Sequence, residues 1–337
     1  MGCFNSRPAP DPIETPATFS SDPDISRSWA FFRIIEHNAN QIFCAYNLHA
    51  QKSLRFPDFS EGLLNSATAL LNGNLYVIGP TDFDGMASKN VYMCDPMAAF
   101  TWSQLPSTQT PRQNAVAVAA NGKIYVFGGC RHRHQVNVPW GDVYDLSTSR
   151  RQWTAIRNPP QPFSSCLSRH SLQAVAFRDR IFLRNDFRGI AFNVISSKWE
   201  TLPAVIANYW FKRSSAVEVS GTFVTYCQEI IGIASLRAFH PGRIIWLPLD
   251  LDPAVPAEMV QLLSVNGRFV AYNAKTTTSI TNAGASLLDC RVRGQHMLAQ
   301  QPSDGDITRG SGVGPHGSDA FYCTRSRPPD YASRVMA

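Results

Sequence analysis

The 337-residue chain is 44% hydrophobic and only 17% charged, with 21 Gly, 23 Pro and 20 Phe, a composition that supplies ample core and excludes general disorder. Its net charge of +6 comes without a run of Lys and Arg, so nothing marks it for tracking a nucleic-acid backbone. Eight cysteines stand singly with no C-x-x-C pair, which removes support for zinc and disulfide frameworks, and no apolar run reaches the ~18 residues of a membrane span.

The chain starts Met1-Gly2-Cys3-Phe4-Asn5-Ser6. This matches the N-myristoylation pattern, with Gly2 as acceptor and Cys3 placed for palmitoylation; two acyl chains anchor stably where one is marginal. Pro8 and Pro10 follow without a polybasic stretch. The expectation is therefore a cytoplasmic or nuclear protein, peripheral to a membrane only if Gly2 and Cys3 are lipidated. Residues 1–27, rich in Pro, Ser and Asp, read as a flexible tail. With no secretory leader visible, the thiols are expected to be free, buried and hydrophobic in behaviour.

From residue 28 the chain repeats. An apolar residue followed by Asn, Asp or His recurs as Tyr46-Asn47, Cys94-Asp95, Tyr144-Asp145, Phe192-Asn193, Phe239-His240 and Leu288-Asp289, at spacings of 48, 50, 48, 47 and 49. Trp102, Trp153, Trp199 and Trp246 each follow their dipeptide by seven to nine residues, and Met297 keeps that place in the last unit. Leu105-Pro106, Leu202-Pro203 and Leu247-Pro248 then close the strand, since proline cannot donate to a ladder and belongs at an edge.

Upstream of each dipeptide stand two apolar runs joined by a tight turn. The clearest is Ala115–Ala119, then Asn121-Gly122, then Ile124–Gly129; Asn-Gly between such runs is a strong hairpin signal, because both turn residues need positive φ. Asn72-Gly73 and Asn266-Gly267 repeat the device, with Arg178-Asp179 and Ser220-Gly221 in the same place. Each unit thus predicts a four-stranded sheet: two inner strands buried on both faces and two outer strands that alternate. Such sheets hide their faces by packing around a ring.

The run Gly128-Gly129, Asp142-Val143-Tyr144-Asp145 and Trp153 resembles a kelch repeat, and the layout of residues 28–300 is similar to that of plant F-box/kelch proteins. Other units depart from the double glycine, with Ile78-Gly79-Pro80, Leu183-Arg184 and Tyr226-Cys227 in its place. The resemblance implies an all-β, kelch-type β-propeller of six four-stranded blades over residues 28–300. It also implies a protein-interaction module that recruits substrates to a ubiquitin ligase. No F-box is recognisable in residues 1–27, which are too short and proline-rich to fold one, so a stand-alone scaffold or decoy is the alternative. The expected partner is a protein or an acidic peptide, together with ligase components in the adaptor reading. Residues 301–337 read as a second loose tail, in which Ala320-Phe321-Tyr322-Cys323 could supply a missing strand to close the ring.

Candidate site residues are few. Arg112, Arg169 and Arg213 each precede an inner strand and are expected at one mouth of the channel; with Arg131 and Arg133 they would grip carboxylates or phosphates by bidentate bonds. Cys130, His132 and His134 resemble half a metal site, but the two intervening arginines disfavour a cation. The repeat Trp and Tyr residues read as core and inter-blade packing. No catalytic motif of the G-x-S-x-G, H-E-x-x-H, P-loop or G-x-G-x-x-G type is present. The relevant enzyme of this fold family, the copper-radical galactose oxidase type, is a remote alternative, since no arrangement singles out Tyr, Cys and His residues for it. No cofactor and no enzymatic activity are therefore expected.

Overall fold

In the computed structural model each repeat becomes one antiparallel sheet. The structure describes residues 29–292 apart from 36–40, 48–51, 58, 60–64, 82–85, 96–100, 130–137, 150, 161–171, 186–187, 208–214, 220–221, 229–233, 241–243, 250, 253–260, 266–267 and 273–286. The first sheet holds β1 (Trp29–Ile35), β2 (Gln41–Asn47) and β3 (Lys52–Arg55). The second holds β4 (Ala67–Leu71), β5 (Asn74–Ile78), β6 (Val91–Cys94) and β7 (Trp102–Leu105). The third holds β8 (Val116–Ala120), β9 (Lys123–Phe127), β10 (Gly141–Asp145) and β11 (Trp153–Ile156).

In the fourth are β12 (Gln173–Phe177), β13 (Arg180–Arg184), β14 (Gly189–Asn193) and β15 (Lys198–Thr201), followed by the single-turn helix α1 (Ala204–Ala207). The fifth comprises β16 (Ser215–Val219), β17 (Thr222–Gln228), β18 (Ala234–His240) and β19 (Ile245–Pro248). The last combines β20 (Leu251–Asp252), β21 (Gln261–Val265), β22 (Arg268–Tyr272) and β23 (Leu287–Val292) in the order β20-β23-β22-β21.

The innermost strands touch in sequence, β4 beside β8, β8 beside β12, β12 beside β16 and β16 beside β21, and β21 in turn touches β1. The sheets therefore follow one another round a β-propeller. The packing explains why the inner strands read as unbroken apolar runs. In β8, Val116, Val118 and Ala120 pack against Ala174, Ala176, Ile181 and Phe192 of the fourth sheet. The intervening Ala117 and Ala119 pack against Ala67, Ala69, Tyr76 and Ile78 of the second. Period-2 alternation is still there, but both faces are dry.

The tight turns follow the sequence signals. Asn72, Asn121 and Arg178 take φ of 53°, 48° and 57°, and Gly73 and Gly122 take 77° and 68°. The recurring Asn or Asp after the aromatic acts locally: Asn193 Oδ1 accepts the amides of Ile195 and Ser196, and Asp145 Oδ1 accepts that of Ser147. These Asx turns carry the chain from the third strand to the fourth. Each repeat Trp then ties its sheet to the one before. The indole N–H groups of Trp102, Trp153, Trp199 and Trp246 donate to the carbonyls of Pro57, Pro106, Arg157 and Val205, at 2.9, 2.8, 2.6 and 2.6 Å.

Six four-stranded blades were expected; among the described residues five sheets have four strands and the first has three. β1 is not an innermost strand. Tyr46-Asn47 in β2 stands where Cys94-Asp95 stands in and after β6, and Pro57 receives Trp102 as Pro106 receives Trp153. That makes β1, β2 and β3 the second, third and fourth strands of their sheet. In the last sheet the outer place expected for the segment around Met297 is held by β20, which pairs Leu251 with Val292.

Candidate functional site

In an antiparallel four-stranded sheet the first and third turns fall at one end, and the second connection falls at the other, beside the link to the next sheet. The tight Asn-Gly and Asx turns thus occupy one face of the ring and the longer connections the opposite face. Loops on a rigid scaffold are where binding surfaces are usually built.

The link from β7 to β8 shows how this second face is held. The amides of Thr108 and Arg112 donate to Lys89 and Ser88 in the second sheet's long connection, both at 3.0 Å. The Asn114 amide reaches the Asn65 carbonyl before β4, and the Gln113 amide reaches Gly129 just beyond β9, both at 2.8 Å. One link therefore joins the long connections of two sheets. Asn158, from the following link, holds the same region from the other side: its Oδ1 accepts the Trp140 amide at 2.7 Å.

Arg112 completes this joint from within. It is fully buried, and its Nε and Nη2 donate to Asp142 Oδ2 at 3.1 and 2.8 Å. Nη1 donates to the carbonyls of Gly128 and Trp140 at 2.6 and 3.1 Å, and Nη2 to that of Pro139 at 3.2 Å. A guanidinium offers five N–H groups in a fixed fork, and here the fork is engaged by one carboxylate and three carbonyls. Burial pushes the Asp142 carboxyl above its ordinary range, while the adjoining guanidinium pulls the other way; the arginine supplies the compensation that a buried carboxylate requires.

The glycines are needed for close approach. Gly128 and Gly129 take φ of 70° and 75°. A Cβ on Gly129 would stand 2.8 Å from the amide nitrogen and Cβ of Ala115 and 2.9 Å from the Gln113 carbonyl, and one on Gly79 would stand 2.6 Å from the Arg112 carbonyl. Gly129 and Gly79 thus let the β7–β8 link lie against both neighbours.

Arg112 therefore does not ring a channel mouth. Its place before β8 agrees with the expectation, but its side chain turns into the joint, because Asp142 and three inward carbonyls outcompete water for it. Arg131, Arg133, Arg169 and Arg213 lie outside the described residues, as do Gly2, Cys3, Cys130, His132 and His134. The residue that sequence reasoning missed is Asp142. It shares a side of β10 with Tyr144, which packs into the interface with the second sheet, so a carboxylate two residues before a buried tyrosine was a usable signal for a buried cation.

Cys44 and Cys94 are buried thiols, and burial pushes the Cys94 thiol up to about 12, far from the thiolate that reactivity requires. Among the described residues no group of three or more His, Cys, Asp or Glu side chains is placed to hold a metal ion. No described helix is long and apolar enough to cross a membrane.

Residues 111–160, which contain the Arg112–Asp142 joint, match the family model described as Kelch motif. Over longer stretches the chain is similar to proteins of Arabidopsis thaliana named as F-box/kelch-repeat proteins. One is 27% identical over 225 residues, covering 64% of this chain and 54% of the relative. A second is 21% identical, covering 63% and 68%, and a third is 24% identical, covering 67% and 50%. The chain spans about half to two thirds of the length of these relatives.

Proposed function

We propose that this kelch-motif β-propeller is a protein-interaction module that binds a protein or peptide partner on the face formed by its long connections. The observation that carries the reading is the Arg112 joint. It bonds the β7–β8 link to the long connections on both sides, giving that face a rigid base. Arg131 and Arg133 belong to the connection between β9 and β10, Arg169 to the link between β11 and β12, and Arg213 to the link between α1 and β16. By strand direction these segments all join strand ends at the same face. Four arginines so distributed favour an acidic partner, through bidentate bonds to carboxylate or phosphate.

The relatives' names support a finer proposal, recruitment of that partner to a ubiquitin ligase. Arg131, Arg133, Arg169 and Arg213 are replaced together by alanine, and wild type and variant are used to capture partners from native extract at low and moderate salt. Partners that bind wild type in a salt-sensitive way and are lost by the variant support the charged face; equal capture by both proteins overturns it. Recovery of cullin-ligase subunits with the partner supports the adaptor role. A reproducible partner without them makes the chain a stand-alone scaffold or decoy.

A further inference from the structure

Among the described residues four large hydrophobic side chains are exposed, Met86, Ile195, Ile244 and Ile245, at 47%, 72%, 62% and 41%. Three of them share the face of tight turns, opposite the long connections. Ile195 stands in the turn between β14 and β15, and Ile244 and Ile245 stand where β18 turns into β19. The two sheets are neighbours that pack through Phe177, Phe223 and Trp246. Ile244 keeps its place at φ 55°, a conformation that a β-branched side chain enters at a cost and that burial in its own fold does not offset. The turns of the same face are basic. Segments 145–151, 178–180, 193–198 and 240–245 contain Arg150, Arg151, Arg178, Arg180, Lys198 and Arg243 against Asp145 and Asp179. Lys123 holds Asp145 and Arg180 holds Asp179, while Arg151, Arg178 and Lys198 are exposed.

We infer that this face of tight turns is a docking surface for an anionic lipid membrane. Apolar side chains set among cations suit such an interface: the isoleucines enter the boundary between headgroups and acyl chains, and the arginines and lysine meet the headgroup charge. Ile195 and Ile244 belong to separate turns, so each can enter a fluid surface by itself, without the shaped pocket that a rigid protein partner would have to supply. The entry of the chain favours the same occupant. β1 starts at Trp29, which pairs with Asn47 at the end of β2, where β2 turns towards β3 on this face. The segment before β1 carries Gly2 and Cys3, and acyl groups on them would be delivered to the face that holds the isoleucines. One acyl chain anchors marginally, and a basic surface is a second signal that makes anchoring stable. The long connections then point away from the lipid, open to a partner.

The test uses unacylated full-length protein, so that it reads the face alone. The protein is co-sedimented with vesicles of phosphatidylcholine and with vesicles of equal parts phosphatidylcholine and phosphatidylserine, at low and moderate salt. Wild type should partition onto the anionic vesicles in preference to the neutral ones, and less so at moderate salt. Ile195→Asn combined with Ile244→Asn should lower the partition coefficient at least about fivefold. Arg178→Gln combined with Lys198→Gln should lower it at least about fivefold as well. Replacement of Arg131, Arg133, Arg169 and Arg213 by alanine, on the opposite face, should leave it unchanged. Wild type that sediments with neither kind of vesicle overturns the inference and leaves the isoleucines to a protein partner. Binding that both turn variants retain overturns it too, and its loss in the four-alanine variant would move the lipid contact to the long connections.

Discussion

Arg112 Nη2 lies 2.8 Å from Asp142 Oδ2 with both side chains wholly shielded from solvent. Removing one member of a buried ion pair leaves the other charged, dry and uncompensated, which costs about 3–5 kcal/mol. Arg112→Ala should lose about that much stability in urea unfolding, and in addition it takes a donor from the carbonyls of Gly128, Pro139 and Trp140. Asp142→Ala should be severe for the same reason. The double variant should cost clearly less than the sum of the two, since the second removal deletes a stranded charge. Additive losses would mean that the two side chains do not act as a pair.

Gly122 and Gly129, at opposite ends of β9, separate two effects. At Gly122, φ is 68° and an added Cβ meets nothing within 4 Å, so Gly122→Ala carries only the left-handed backbone cost of roughly 1–2 kcal/mol. At Gly129, φ is 75° and the Cβ would run into the Ala115 backbone at 2.8 Å. Gly129→Ala must shift main chain as well, and should destabilise more than Gly122→Ala in the same denaturant series. Equal losses would show that the β7–β8 link yields freely.

The contrast between these glycines bears on what can be read before any coordinates. The period, the Asn-Gly turns and the Trp positions are legible because each rests on local chemistry: a positive φ, an Asx turn, an aromatic strand residue. The direction of Arg112 is not, because its place before β8 is compatible with either solvent or the joint. The outcome depends on Asp142, thirty residues on, and on carbonyls that carry no side-chain signal. The position of β1 is hidden for a related reason. An apolar strand buried on both faces looks alike in the first or second position of a sheet, and only the ring neighbours distinguish them. The arginines of the long connections stand in stretches without period or turn signal, where sequence gives position along the chain and nothing of direction.

Acid should probe the turn after β10. Asp145 accepts from Lys123 Nζ at 2.8 Å and from the Ser147 amide, and these bonds lower its carboxyl to about 2, below the ~3.9 of an unfolded chain. A depressed carboxylate pKa adds stability that is complete above the unfolded value and is lost as pH falls from about 4 towards about 2. Both partners are partly exposed, so the effect should be under about 1 kcal/mol. Asp145→Asn keeps the turn, as Asn193 does in the next sheet, and should flatten the acid limb of the stability curve while matching wild type near pH 2, where the carboxyl is protonated. An unchanged slope between pH 4 and 2 would remove Asp145 from the titration.

Among the described residues, Ile244 is the one β-branched side chain held at positive φ. Its φ is 55°, in the left-handed region that a β-branched side chain occupies only under strain, and it is 62% exposed. Two residues before the repeat Trp, the corresponding positions carry the same sign of φ: Ser197 at 54° and Arg151 at 39°. The turn therefore demands this conformation whatever the residue, and Ile244 tolerates it without much burial in return. Ile244→Asn should relieve about 1 kcal/mol, because asparagine enters the left-handed region readily, and should raise the thermal midpoint by about 2–4 °C in a domain of this size. The reverse change, Ser197→Ile, should lower it by a similar amount. If Ile244→Asn instead lowers the midpoint, the isoleucine contributes packing that exceeds its strain.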